Sequence, residues 1–180
     1  MAQDKKLQKL ELKWVGKYDE REPLEPRILI ENSEYSYGDT QSGNMLIHGD
    51  NLLALKALEQ EYAGKVKCIY IDPPYNTGNA FEHYDDGVEH SIWLSLMYDR
   101  LVILHKLLAH DGVILINLDE VEHAYCKLLC DEIFGRQNYL GDLIWQKRKG
   151  GGNDSRFFAI DHDYIIVFAK NADKKIHSKQ

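Results

Sequence analysis

An apolar run ends in a cluster of groups able to grip and stack a flat, amine-bearing molecule: "CIYIDPPYNTG", Cys68 to Gly78. Asp72 offers a carboxylate, which when ionised only accepts hydrogen bonds. Pro73 and Pro74 fix the backbone and remove its donors, so the carbonyls around them are acceptors without competing N–H groups. A nitrogen donating two hydrogens at once matches a carboxylate beside such a carbonyl. Tyr75 adds a flat face on which a planar base can stack, an interaction of about 1–3 kcal/mol in nucleic-acid sites. The exocyclic amino group of a purine or cytosine fits the whole arrangement. The bland alternative is a turn, because prolines stop strands and Asp and Tyr are common in loops.

The elements that must carry this cluster follow from hydrophobic periodicity. "NMLIHGDNLLALKAL" predicts a short strand, Met45 to Ile47, a turn at His48-Gly49-Asp50, and a helix bearing Leu52, Leu55 and Leu58. "KVKCIYI" predicts a second strand, stopped by Pro73-Pro74. A loop through "NTGNAFEHYDDGVEH" leads to a helix with Trp93, Met97, Leu101, Leu104 and Leu108 on one face, expected to end at Asp111-Gly112. A third strand follows in "VILINLD", then an amphipathic helix, "EVEHAYCKLLCDEIF", closed by Gly135. "LIWQK" and "DYIIVFAK" read as strands flanking the basic, glycine-rich "RKGGGNDSRFF". Residues 1–43 read as a polar extension with at most one short strand, Arg27 to Ile30; residues 44–171 form the α/β portion and 172–180 a polar tail. Strands alternating with helices predict an α/β fold with a largely parallel sheet. Ligands in such sheets sit beyond the carboxyl ends of the strands. His48-Gly49-Asp50, Asp72 to Tyr75 and Asn117-Leu118-Asp119 are therefore expected on one rim.

Composition narrows the class. The 180 residues are enough for one domain with its own core, 44% hydrophobic and 28% charged. No run approaches the roughly 20 apolar residues of a membrane span, and the amino terminus lacks an apolar signal core, so a cytoplasmic chain without membrane contact is expected. Cys126 and Cys130 stand one helical turn apart without the Cys or His partners of a zinc site, so they are expected as core or helix-surface thiols, with no metal. A net charge of -7 opposes a free-standing DNA binder, whose surface must neutralise phosphates.

The cluster and its surroundings also carry a resemblance. "DPPY" after an apolar strand and before "NTG" looks like the catalytic motif of amino-methylating DNA methyltransferases, the adenine-N6 group in particular. "GNMLIHGDNLLALKAL", "LLAHDGVILINLDEVE", "LLCDEIFGRQNYLGDLIWQK" and "GGGNDSRFFAIDHDYIIVFAKN" extend the likeness from about Lys13 to Asn171. Together they resemble the modification (Mod) subunits of type III restriction systems. The tetrapeptide alone is less specific, since ribosomal-RNA methyltransferases use it too. The resemblance implies a Rossmann-like methyltransferase sheet and S-adenosyl-L-methionine as cofactor. Duplex DNA with a flipped adenine is the implied substrate, and a restriction subunit or a second copy the implied partner. It implies that Asp72 and the Pro73 carbonyl hold the two hydrogens of adenine N6, with Pro74 completing the rigid motif. That hold would free the nitrogen lone pair for methylation. Tyr75 would stack on the base, whose extrusion costs a few kcal/mol. Asn76, Thr77 and Gly78 would begin a loop closing over it.

Other positions carry competing readings. Asp50 sits where related enzymes place the acid that takes the amino group of the cofactor's adenine; it equally suits helix capping. Asp119 and Glu120 are expected at a helix start, and Arg100 as structural. Lys147, Arg148, Lys149 and Arg156 form the one basic patch, either a phosphate contact or a solvated hairpin tip. The glycine-rich Phe-x-Gly-x-Gly cofactor motif does not occur in the sequence. The sheet is thus expected to be incomplete, an amino-terminal portion with the catalytic half present and the cofactor-loop half missing. On that reading the chain has little activity alone. The alternatives are an RNA base N-methyltransferase and a non-catalytic remnant that binds a partner subunit.

Overall fold

In β1 (Val66–Ile71), β-branched and aromatic residues alternate between two faces, and Ile69 alone of the six is buried. Three further strands complete the sheet seen in the computed structural model, which describes residues 11–21, 23–25, 27–39, 41–76, 86–148 and 158–173. They are β2 (Leu108–Leu118), β3 (Tyr139–Gln146) and β4 (His162–Ala169), in the spatial order β1-β2-β4-β3. The helices are α1 (Asn51–Tyr62), α2 (Asp86–Leu107) and α3 (Glu120–Cys130).

Only β1 and β2 are parallel; β4 runs antiparallel to both β2 and β3. The expected largely parallel sheet is corrected on this point. The reason is connectivity: no helix crosses over between β3 and β4 among the described residues, so they pair antiparallel. The α/β class itself holds.

Cross-strand pairing sorts the side chains. Ile69, Ile114, Ile116, Ile166 and Phe168 lie in one core with Trp93, Met97, Leu101 and Leu104 of α2 and Leu129 of α3. Each large apolar side chain fully buried there contributes about 1.5–3 kcal/mol. Cys126 and Cys130 are core thiols with no exposed surface. The opposite face carries Cys68, Tyr70, Leu143 and Trp145, all exposed.

Three boundaries differ from expectation. Met45 to Ile47 forms no strand, and Leu46 is 99% exposed, because no neighbouring strand among the described residues offers it a ladder. Arg27 to Ile30 likewise stays irregular and exposed, ahead of a 3-10 turn at Ser33–Tyr35. At the second helix, α2 begins at Asp86 instead of after His90, and ends at Leu107. Leu108 already pairs with Val66, and the register then slips, so that Cys68 faces Val113. Asp111-Gly112, expected as a helix terminator, instead lies inside this irregularity. A Cβ on Gly112 would stand 2.8 Å from the Val66 carbonyl oxygen, which accounts for glycine there.

Within the stretch expected as an extension, a short strap docks on the core. The Trp14 indole donates to Ser95 Oγ (2.8 Å) and sets its ring edge-on to Tyr98. Lys17 is 7% exposed; its ammonium reaches both Glu132 oxygens (2.8 and 2.9 Å) and the Leu12 carbonyl (2.7 Å). Among the described residues no helix is long and apolar enough to cross a membrane.

Gly112→Ala is expected to lower the chain's stability by about 1–3 kcal/mol, the usual cost of forcing atoms into a packed site. The urea midpoint measures it, and an unchanged midpoint would show that the close approach to Val66 is not needed.

Candidate active site

The site begins where the two parallel strands end. β1 and β2 run the same way in register, Ile71 beside Ile116, so Asp72 and Asn117 emerge together at one edge. The Asn117 side-chain amide donates to Asp72 Oδ1 (3.2 Å) and also to the Tyr75 hydroxyl. One NH₂ thus joins the first and last residues of the Asp-Pro-Pro-Tyr motif. The carboxylate of Asp72, which is exposed, keeps further acceptor sites, because two oxygens provide about four.

The middle of the loop is held from α2. Trp93 is completely buried, and its indole nitrogen donates to the Pro74 carbonyl at 2.7 Å. A buried indole N–H needs such a partner. Among the described residues no donor reaches the Pro73 carbonyl. The end of the loop is held from α3: Asn76, buried, donates to Glu122 Oε1 at 2.5 Å, and His90 Nδ1 meets the same oxygen at 2.7 Å.

Electrostatics match this enclosure. Burial first, then the hydrogen-bonded Asp72 carboxylate, hold the Tyr75 hydroxyl protonated far above the ordinary tyrosine range; the Asp163 charge adds to this. Burial also pushes the Asp119 carboxyl up, against the backbone N–H of Val121 that it caps. Beside the tip, Tyr70, Asn117, Trp145, Asp163 and Ile165 line an open cavity of about 410 Å³ on the uncovered sheet face.

The expected rim is met in two of three places. Asp72 to Tyr75 and Asn117 to Asp119 converge, whereas His48-Gly49-Asp50 follows no strand. Asp50 is the N-cap of α1, accepting from the N–H groups of Leu52 and Leu53 at 3.0 Å each. Asp119 caps α3, with Glu120 in its first turn, as expected. Arg100 is structural too, donating to Asn51 Oδ1 (2.7 Å) and to the Leu96 carbonyl. In the basic patch, Lys147 ion-pairs with Asp163, and Arg148 is exposed. Thr77, Gly78, Lys149 and Arg156 lie outside the described residues.

The sequence places Asn117 on the rim but gives it no role, and it does not assign Trp93, His90 or Glu122 to the site. Glu122 had a signal. It shares the buried stripe of α3 with Cys126, Leu129 and Cys130, at spacings of four, seven and eight, where a charged residue is out of place. Asn117 had a weaker one, a lone polar residue in "VILINLD".

Asn117→Ala is expected to destabilise the chain by about 1–3 kcal/mol, since the half-buried Tyr75 hydroxyl loses a donor; chemical denaturation checks this. The Tyr75 shift has a definite sign as well. Its folded-state value is raised, so the stability it contributes is present below the ordinary tyrosine value near 10 and lost as pH climbs above it. Stability measured from pH 9 upward is expected to fall less steeply in Tyr75→Phe than in the wild type.

A family model described as DNA methylase matches residues 66–180, which include the whole strand-tip cluster. The EcoP15I Mod subunit of a type III restriction-modification enzyme, from Escherichia coli, is 38% identical over 92% of this chain and 31% of its own length. The EcoPI Mod subunit from Escherichia phage P1 is 38% identical over 90% of this chain and 30% of its own. The chain therefore spans about a third of the length of these relatives. Among solved structures, a DNA modification methylase from Thermus thermophilus, complexed with S-adenosyl-L-methionine, superimposes with a TM-score of 0.52. It is 15% identical and the match covers 70% of this chain and 54% of that one, a likeness of fold alone. With the motif-bearing strand inside the matched segment, the chain belongs to the DNA methylase family.

Proposed function

We propose that this segment is the catalytic portion of a site-specific DNA methyltransferase of the Mod type, acting on N6 of adenine in duplex DNA with S-adenosyl-L-methionine as donor. The observation that carries the reading is the acceptor pair at the tip of β1. Asp72 is exposed and only partly used by Asn117 and the Tyr75 hydroxyl, and the Pro73 carbonyl has no donor among the described residues, whereas Pro74's is taken by Trp93. An amine with two hydrogens finds one acceptor for each. Gripped this way, the nitrogen is drawn toward a tetrahedral shape and its lone pair leaves conjugation with the ring. Tyr75, its hydroxyl tied to Asn117, offers its ring for stacking. These acceptors are fixed before the base arrives, which is where such sites gain most of their rate.

S-adenosyl-L-methionine supplies an electrophilic methyl group when bound. This chain offers it Asp72, and Asp50 if its capping carboxylate also serves the cofactor's amino group. The glycine-rich motif is not among the 180 residues. The fit is thus partial, and the segment by itself is expected to bind the cofactor weakly. We assign residues 44–171 to the catalytic portion, 1–43 to an extension and 172–180 to a polar tail. Asn76, Thr77 and Gly78 are assigned to the loop over the base, and Lys147, Arg148, Lys149 and Arg156 to DNA phosphates. A restriction subunit or a second copy is the proposed partner, in keeping with the chain's acidic balance.

Asp72→Ala is expected to slow methyl transfer to duplex DNA by at least about 100-fold, measured with polypeptide carrying the glycine-rich half supplied. Undiminished transfer would overturn the reading, and transfer to structured RNA in preference to DNA would correct the substrate. Calorimetric titration of the isolated chain with S-adenosyl-L-methionine is expected to give no tight, stoichiometric binding.

A further inference from the structure

Asn76 has a φ of +60°, the one described non-glycine residue with positive φ. That left-handed conformation is uncommon outside glycine; asparagine is among the residues that tolerate it best, and the contacts of its side chain fix it here. The residue is 6% exposed, and its Nδ2 donates to Oε1 of Glu122, which has no exposed surface at all. His90 Nδ1, from α2, meets that same Oε1. Every described hydrogen bond to the carboxyl therefore lands on one oxygen. The other, Oε2, is buried without a partner among the described residues, and so is Asn76's own Oδ1.

Two orphaned acceptors on one interacting pair have a common remedy. An amide and a carboxylic acid each present one donor edge and one acceptor edge in a plane. A single proton on Oε2, directed at Asn76 Oδ1, would satisfy both orphans, whereas an ionised carboxylate leaves both unpaired. The charged and titratable surroundings divide. Burial disfavours the ion and dominates; the Asn76 hydrogen bond and His90 on α2 favour it, and Asp119 on its own helix opposes it. The amino end of α3 is a further influence favouring the ion.

We propose that Glu122 is a positioning residue for the Asp72 loop and works as the uncharged acid, donating from Oε2 to Asn76 Oδ1 while Oε1 accepts from Asn76 Nδ2 and His90 Nδ1. Its importance to catalysis rests on reading Asp72 as a methyl-transfer site; the acid–amide pair itself does not. The pair pins the residue directly after Tyr75 and so closes the loop that Asn117 and Trp93 hold at its start and middle. The group's folded-state value is raised, so the stability from the pair is fully present below the unfolded glutamate value of about 4.3 and is lost as pH rises through the raised one. Glu122→Gln carries a donor at every pH, and its stability relative to the wild type is expected to grow as pH rises.

Infrared difference spectra of the chain, wild type minus Glu122→Gln at neutral pH, test the proton directly. A carboxylic-acid carbonyl band supports the proposal, and a carboxylate band in its place overturns it. Amide hydrogen exchange at Tyr75 and Asn76 tests positioning. Glu122→Ala is expected to speed it by roughly tenfold or more, with Glu122→Gln restoring slow exchange. Exchange as fast in the Gln variant as in the Ala variant overturns the proposal, and the infrared band decides it in the wild type should Glu122→Ala fail to fold. An acid band with slow exchange in Glu122→Gln supports the pairing even if Asp72→Ala keeps full methyl transfer, a result that would sink only the functional reading.

Discussion

A loop built around two prolines cannot hydrogen-bond itself into shape, and the rest of the site follows from that constraint. Proline removes the N–H groups with which a turn would normally close. The Asp72 loop is held by side chains instead: the Asn117 amide at Asp72 and Tyr75, the Trp93 indole at Pro74, and the Glu122 carboxyl at Asn76. They come from β2, α2 and α3, so the loop keeps its form only while those elements stay packed. The same constraint leaves the Pro73 carbonyl and part of the Asp72 carboxylate without donors among the described residues, at the edge where a ligand's amine can supply them.

The sheet sets where this happens. Two strands must run parallel for Asp72 and Asn117 to emerge side by side, and β1 and β2 are the one parallel pair among the described residues. The bulge near Gly112 allows α2 to hand over to β2 without a separate loop. Gly64 and Lys65 bind the carbonyls of Lys106 and Leu107, fixing the start of β1 against the end of α2. The described helices pack against one face of the sheet, and the opposite face presents Tyr70, Leu143 and Trp145 to solvent. β1 is an end strand of the sheet among the described residues. The chain spans about a third of the length of its Mod relatives.

Buried polar groups concentrate beside the motif. Asn76, Asn117, Asp119 and Glu122 are all buried within one short stretch at the carboxyl ends of β1 and β2. Such groups are costly to bury unless they are satisfied. The proposed acid–amide pair extends that logic, since it makes the burial of Glu122 compatible with a fixed loop.

Element types were legible in the residues themselves. The alternation in "KVKCIYI", the helical stripe from Trp93 and the cap residues Asp50 and Asp119 are local signals, and each appears where its pattern puts it, except that Leu108, expected to close the stripe, opens β2. The short apolar stretch Met45 to Ile47 misled because a strand exists only with a neighbour, which one-dimensional pattern does not contain. The groups that Asp72, Pro73 and Tyr75 offer were likewise readable from residue type, since they stand within four adjacent residues. Their supports were not. Asn117 lies 45 residues from Asp72 and Glu122 46 from Asn76, separations at which no periodicity links one side chain to another. The sequence by itself determined which groups are offered at the strand tip. Only the tertiary structure decided which of them are free, because that depends on which distant donor the packing brings within hydrogen-bond reach.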